Sequence, residues 1–542
     1  MTELFDSIKI EVYNSSWVDI TADVKSSPNP RWNRGIMSNR PNERVGYAGI
    51  LTFTLNNSAS NSAGLAGYYS PGHTNCWSGW DTGLKVRLGF TYESITYYKY
   101  YGRIKPDGIV VTPGSYSSRD VSVTCGDWMW LAGQHELKTL TFAQNKNAGE
   151  TVTLVNANMP LSPLATSYAT GVETFPSIFD LTNLKTTALA EYYRVAMSEW
   201  SYIYAKGDLT GGETLVVENQ TTRSSSVASP VLPKATGECG FLILESTGDY
   251  LLKEDGDKLK LNQTQEAIFD NSMSEGMMVS YGKTMHNRVS STAYPRRVDA
   301  AATTVLYELQ KSFEIKAGET ITGFRGSYRD PDNLASRVSG ISMQALVAGT
   351  DYTATLNEDG SGGDEKGHLT ITPAFGTEAV IYQIVSDAAH SVWIQTLRAV
   401  GKGVYSYDTI QSVQDDTGSQ NIHGVVPLSL DFKYQADARK VQTFCSYVIA
   451  KEALPRQTVD ACPIWANRDS LRMFGFLYLE PGTKATFKEA QTGIDADHFI
   501  MGYSAEIVNG KHVLWNPVLK DDPGYFVFEY WDVAKWDVAI WG

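Results

Sequence analysis

Thiol chemistry is the first thing the chain has little of. Five cysteines occur in 542 residues, Cys76, Cys125, Cys239, Cys445 and Cys462, an odd number, widely spaced and without a Cys-x-x-Cys pair. This excludes a disulfide framework and fits reduced, buried thiols in a protein made in a cytoplasm. No apolar run is long enough to span a bilayer. The opening residues, Met1 to Asp6, have no basic segment followed by an apolar one, so no export signal is expected. Positive charge is scarce as well, with 46 Lys and Arg against 60 Asp and Glu and a formal net charge of −14. Affinity for nucleic acid rests on clustered Lys and Arg, so sequence-specific nucleic-acid binding is not expected.

Catalytic and cofactor motifs are missing too. Eight histidines are scattered with no His-Glu-x-x-His helix. Gly401-Lys402-Gly403 lacks the third glycine of a dinucleotide loop, and no glycine loop ends in Lys-Ser/Thr. The polar loop from Asn357 imitates a calcium loop through Asp359, Ser361 and Gly362, but His368 stands where a bidentate glutamate is required. Carboxylate pairs such as Asp495 with Asp497 and Asp415 with Asp416 have the composition of a glycosidase pair. In a chain with 60 acids they are equally expected on solvated turns. No Gly-x-Ser-x-Gly elbow occurs. The expectation is therefore a protein that is not an enzyme, with no catalytic residue, no cofactor and no metal ligand.

Aromatic residues are plentiful, with 30 Tyr and 13 Trp, as suits strands and interfaces. The length allows about three to four domains. Apolar and polar residues alternate from Leu51 to Leu55 and again from Leu84 to Leu88, the period of half-buried strands. The long loop between them carries Tyr68, Tyr69, Pro71, His73, Trp77 and Trp80, so it is expected to pack on something. Ile8, Ile10 and Val12 predict an earlier strand that turns through Asn14-Ser15-Ser16, and Val121 to Cys125 predict a later one.

In order along the chain stand Asp19-Ile20-Thr21; Gly49, Leu51, Phe53, Leu55 and Asn56; Tyr69-Ser70-Pro71; Gly83, Val86 and Arg87; and Gly102-Arg103-Ile104. This succession resembles the opening barrel of bacteriophage tail-hub proteins, the family at the tip or baseplate centre of tailed phages. Gly126-Asp127-Trp128 resembles the close of that barrel, and the run Ser198 to Arg223 resembles the helix and hairpin that follow it.

On this reading the fold is mainly β with a few helices, a multidomain α+β chain. Residues 1–132 form a first hub β-barrel and 133–200 a helical, mixed insert. Residues 201–318 begin a second barrel, interrupted by a β-meander at 237–262. A β-sandwich-like insert spans 319–400, the second barrel returns at 401–434, and a helix-plus-sheet module with a Trp-rich tail occupies 435–542. Thr186 to Trp200 and Gln435 to Ala453 have helical periodicity, the second stopped by Pro455. Thr303 to Glu314 is strand or helix, and periodicity does not decide between them. Strands are expected at Thr458 to Ile464, Gly475 to Leu479, Thr483 to Phe487, Phe499 to Ile507, His512 to Pro517 and Tyr525 to Tyr530.

The resemblance implies a structural hub of the phage tail tip in the virion, joining the tail tube to tip or fibre proteins and forming part of the conduit for genome delivery. Its implied partners are two further copies of itself, the distal-tail or tube protein, the tape-measure protein and tip or fibre proteins, with transient contact to the host surface. A trimer with two barrels per chain would present six similar walls to a six-fold tube. The other reading is a tail component that binds host glycan or degrades cell wall, stacking Trp and Tyr on sugar rings. Candidate interface residues are Tyr68, Tyr69, Trp77 and Trp80 in the aromatic loop, and Trp531, Trp536 and Trp541 in the tail, where Trp-Asp-Val-Ala occurs twice.

Overall fold

The computed structural model describes residues 5–113, 119–137, 140–179, 186–208, 211–223, 229–234, 240–241, 260–261 and 264–521. Strands dominate, gathered into several sheets with a few helices, so the chain is a mainly β multidomain protein.

The alternation seen in the sequence becomes the inner face of the largest sheet. Strands Ile50–Asn56 and Asp120–Gly126 run antiparallel with Leu51, Phe53 and Leu55 opposite Cys125, Val123 and Val121, all buried. Period-2 side chains in facing strands meet on one side, and that side excludes water. Ser7–Asn14 and Lys85–Tyr92 repeat the pattern, burying Ile10 and Val12 against Val86, Leu88 and Phe90. Ser7–Asn14 also pairs with Ser16–Asp19 through the turn at Ser15, whose φ is +64°. The strand Ile95–Thr112 joins Lys85–Tyr92 to Asp120–Gly126, with the register broken between Ile104 and Ile109.

The same sheet continues into distant sequence. Arg31–Gly35 pairs with residues 502–506 of the strand Ile494–Val508, which also pairs with Lys484–Glu489 and His512–Asp521. Trp32 packs on Phe90 and Phe476, at ring-centroid distances of 5.7 Å and 6.2 Å, and all three share one core with Trp515. The residues expected to be a first barrel and those expected to be a C-terminal module therefore have a common sheet and core. The expected boundary at 132 falls inside the helix Trp128–Gln134.

Tyr202–Asp208 and Gly212–Glu218, expected to open a second barrel, extend this large sheet. Asp208 pairs with Tyr98, and the Gly46 N–H donates to the Ile203 carbonyl at 2.7 Å. Two helices cover the hairpin. Ala148–Ala157 starts with a reciprocal cap between Asn147 and Glu150, and Ala188–Glu199 starts with Thr187 and stops where Trp200 takes a left-handed conformation. Val152, Tyr192 and Val195 pack against Ile203, Leu215 and Val217.

Arg288–Ala293 is the middle strand of a three-stranded sheet, antiparallel to Ile410–Asp415 and parallel to Pro427–Phe432. The helix Ala438–Glu452, capped by Asp437, lays Val441, Phe444, Cys445 and Val448 against Phe432 and Trp200. The sandwich-like unit is organised by the strand Val392–Ser406, which pairs in turn with 296–298, 304–308, 313–315, 339–341 and 352–355. Its core also takes Val380, Tyr382 and Ile384 from a second sheet. Residues 398–406, expected to return to a barrel, are thus the end of this unit's longest strand. The ambiguous run 303–314 resolves into strands, Thr304–Glu308 and the start of Phe313–Ile315.

One expectation is corrected outright. Gly475 to Leu479, read as a strand, lies in the helix Ser470–Tyr478, which the Asp469 carboxylate starts by accepting from the Arg472 N–H at 2.8 Å. Met473, Phe474, Phe476 and Leu477 are all buried while Leu471, Arg472 and Tyr478 are half-buried, and the apolar run within the helix is too short for its period to be told from that of a buried strand. Of the expected meander at 237–262, only the pair Gly240–Phe241 with Lys260–Leu261 is described. The strand at 525–530 and Trp531, Trp536 and Trp541 lie outside the described residues.

Candidate functional site: the aromatic loop and the buried ionic seam

The loop from Asn57 to Leu84 is fixed by three polar anchors. Asn57 accepts from the Tyr69 N–H at 2.8 Å and donates to the Ser70 hydroxyl at 2.7 Å. Asp23, buried, accepts from the Tyr69 hydroxyl at 2.5 Å and from the Ser62 N–H and hydroxyl at 2.6 Å each. The Trp80 indole donates to the Tyr69 carbonyl at 3.0 Å. Burial and the facing Asp23 carboxylate raise the Tyr69 phenol far above its ordinary value, so it stays a donor.

On these anchors the four aromatics form a cluster. Tyr68 stacks on Trp77 at 6.1 Å with 9° between planes, Trp77 on Trp80 at 5.9 Å with 19°, and Tyr69 meets Trp80 edge-on at 5.2 Å. Tyr69 and Trp80 are buried in the core of the large sheet, while Tyr68 and Trp77 are half-buried at its edge, and Pro71 to Thr74 are exposed. Stacking within the cluster takes up ring area that a sugar platform would leave open. Tyr68 and Trp77 remain half-buried at the edge of this cluster.

Behind the loop's sheet runs a seam of buried charge that composition and periodicity did not reveal. Arg34, fully buried, donates to Glu213 at 2.6 Å and to the Gly212 carbonyl at 3.2 Å, and lies 5.4 Å from the Tyr100 ring centre. Glu213 also accepts from the Trp128 N–H at 3.2 Å, while Asp127 caps the following helix by accepting from the Trp130 N–H at 3.0 Å. Burial pushes the Asp127 carboxyl up to about 6 and the Glu213 carboxyl up to about 8, with Arg34 opposing both. Nearby, Lys99 is ion-paired to Glu480, whose other oxygen accepts from the Gly207 N–H at 2.8 Å. Burial lowers the Lys99 ammonium, with Glu480 resisting. The Tyr503 hydroxyl donates toward the Lys99 carbonyl at 3.2 Å.

Asp127 and Glu213 also line a cavity of about 180 Å³. The Arg34–Glu213 pair links strands 31–35 and 212–218, while Lys99, Glu480 and Tyr503 link 95–112 to 494–508, and ion pairs this deep are costly to separate. Of the motif glycines, Gly49 and Gly102 are explained here. A Cβ on Gly49 would lie 2.2 Å from Asp127 Oδ2, and one on Gly102 would lie 2.5 Å from the Gly126 carbonyl.

The carboxylate pairs singled out from sequence are occupied locally. Asp495 pairs with Lys488 at 3.0 Å; Asp497 accepts from Thr486 at 2.7 Å and lies 3.3 Å from Lys484. Asp415 pairs with Arg288 at 2.7 Å, and Asp416 caps a short helix through the Ser419 N–H. In the loop from Asn357, Asp359 accepts from the Ser361 N–H and hydroxyl at 2.9 Å and 2.6 Å, while His368 turns to Asp387 at 2.9 Å.

No protein-family model matches the sequence, and no curated protein matches it. Among solved structures, the chain is similar to a 43 kDa tail protein of prophage MuSo2 from Shewanella oneidensis, at 9% identity and a TM-score of 0.43 over 95% of this chain and 99% of that one. A tail protein from Neisseria meningitidis MC58 follows at 9% identity and a TM-score of 0.42, over 94% and 96% of the two chains. Prophage tail protein gp18 from Listeria monocytogenes EGD-e stands at 8% identity and a TM-score of 0.36, over 94% of each. These neighbours are phage tail proteins at low sequence identity.

Proposed function

We propose that this chain is a structural hub of a bacteriophage tail, placed at the tip or baseplate, where three copies join the tail tube to tip or fibre proteins around the conduit for the genome. The observation that carries the reading is where the motif residues lie. Leu51 to Asn56, Val86, Arg87 and Gly102 to Ile104 occupy strands of a single sheet, Gly49 leads directly into the first of them, Tyr69-Ser70-Pro71 sits in the anchored loop above it, and Gly49 and Gly102 stand where no side chain fits. The tie between these strands and residues 480–521 through one sheet and one core supports a load-bearing role. The acid-rich composition suits a wall along which DNA passes without being held.

The reading assigns the chain no hydrolytic step. Its interfaces are the aromatic loop, through Tyr68 and Trp77, and the tail carrying Trp531, Trp536 and Trp541. Electron microscopy of the purified protein, with subunit counting in assembled tails, tests the proposal. Rings or cones of three copies are expected. A monomer at all concentrations, together with absence of the chain from virion tails, would overturn it.

A further inference from the structure

A small basic cavity of about 40 Å³ lies where three parts of the fold meet. Arg44, Trp200, Tyr202, Gln220 and Arg223 come from the large sheet and its approach; Lys451 and Arg456 come from the end of the helix Ala438–Glu452 and the turn beyond; Lys520 comes from the last described strand. The walls hold five cations against the carboxylates of Glu452 and Asp521, with Glu218 behind Arg223 at 2.6 Å. In a chain of net charge −14 this local excess of positive charge stands out.

The donors are incompletely used. Arg44 is 5% exposed and Arg223 4%, and Arg44 Nε and Arg223 Nη2 have no hydrogen-bond partner among the described residues. Gln220 is 9% exposed, and among the described residues neither atom of its side-chain amide has a partner, nor does the Trp200 indole N–H. Burying so many N–H groups is costly unless something accepts from them. Both guanidinium groups also lie over the Tyr202 ring, at 4.6 Å and 4.0 Å. Burial alone would raise the Tyr202 phenol, but Arg44, Lys520 and Arg223 outweigh it and bring it down to about 8, even with Glu218 opposing. With five cations against the carboxylates of Glu452, Asp521 and Glu218, the charges around the cavity favour an anion over neutral water.

We propose that this cavity binds one tetrahedral oxyanion of the phosphate or sulfate class, which accepts from Arg44, Arg223, Gln220 and Trp200 and ties the terminal helix turn to the large sheet. The volume corresponds to about three waters, room for one such ion and not for a polymer.

Isothermal titration with sodium phosphate and then sodium sulfate, in chloride buffers of matched ionic strength, tests this. One saturable site per chain is expected, with a Tm that rises with the logarithm of phosphate concentration. Gln220→Glu, which puts a like charge in the cavity at constant shape, should weaken binding at least tenfold. Lys451→Glu alters an exposed residue at the rim, so it keeps the test open if the buried variant fails to fold, and it should weaken binding several-fold. Methyl phosphate separates a free ion from an ester: weaker binding than phosphate confines the site to the free ion, and equal binding extends the class to phosphomonoesters. No saturable heat and no Tm rise beyond matched chloride would overturn the proposal, as would unchanged affinity in the folded variants.

Discussion

Glu199 offers a pH experiment whose sign and size follow from the structure. It is the last residue of the helix Ala188–Glu199, fully buried, and its carboxylate accepts from the Val172 N–H at 2.7 Å. Burial pushes the carboxyl from an ordinary 4.5 up to about 7; neighbouring Glu173 adds to the rise, and the Val172 N–H opposes it. Below pH 4.5 the group is protonated in both the folded and the unfolded chain, and its contribution is fully present. As pH rises through 7, the unfolded chain has already lost its proton while the folded one must give it up at a cost, so stability is lost across that window. At 1.36 kcal/mol per pH unit, the raised value corresponds to a loss of ~3 kcal/mol.

Glu199→Gln keeps the shape and removes the titration. The difference in unfolding free energy between variant and wild type should therefore move in the variant's favour by ~3 kcal/mol between pH 5 and pH 8.5, or about 6–12 °C in Tm for a cooperative unit of roughly 200 residues. Titrating groups other than the neighbouring Glu173 cancel in the difference, and any constant offset belongs to the amide's own hydrogen bonds. Thermal unfolding at half-unit pH steps, followed for the transition that includes this helix, measures it. Parallel curves for the two proteins would show that Glu199 ionises normally in the fold and would refute the reasoning.

Asp23→Ala strips the acceptor from Tyr69 and Ser62 and should cost ~2–4 kcal/mol, with faster proteolysis within residues 57–84 as the loop loosens. Gly49→Ala forces a methyl group against Asp127 and should lower stability by ~1–3 kcal/mol or more, seen as a lower Tm and poor soluble yield. A fragment of residues 1–132 should expose the face that Phe476 and Trp515 cover, so it should bind a hydrophobic dye and lack a cooperative melt; a sharp transition would show that the segment folds alone. Purified protein should release no soluble sugar or peptide from host cell wall; release that disappears in Asp495→Asn or Asp497→Asn would establish the wall-degrading alternative.

The local elements were the legible part. Strands 50–56, 85–92 and 120–126 and helices 188–199 and 438–452 each carry their own period and caps, because the side chains that face one way along a strand or helix are fixed by backbone geometry alone. The packing of the aromatic loop was legible as well, since four large aromatics close together in a loop gain by leaving water; Tyr69 and Trp80 do so fully and Tyr68 and Trp77 in part, while Pro71 and His73 stay exposed. The helix at 470–478 escaped because its apolar run is too short for a helical period to be told from a buried strand.

The chain's sequence determined by itself that it is built mainly of strands, about where several of them lie, and which loop packs inward. Only the tertiary structure decided which strands are neighbours. Arg31–Gly35 finds its partner more than 460 residues away in 502–506, and Arg34 meets Glu213 across 179 positions. A strand's edge offers the same row of N–H and C=O groups to any other strand, so pairing carries no local signature. A lone Arg or Glu in a strand looks solvated until the fold closes over it. What selects the partner is the shape of the shared core and the need to satisfy each buried charge, and both exist only once the distant segments have met.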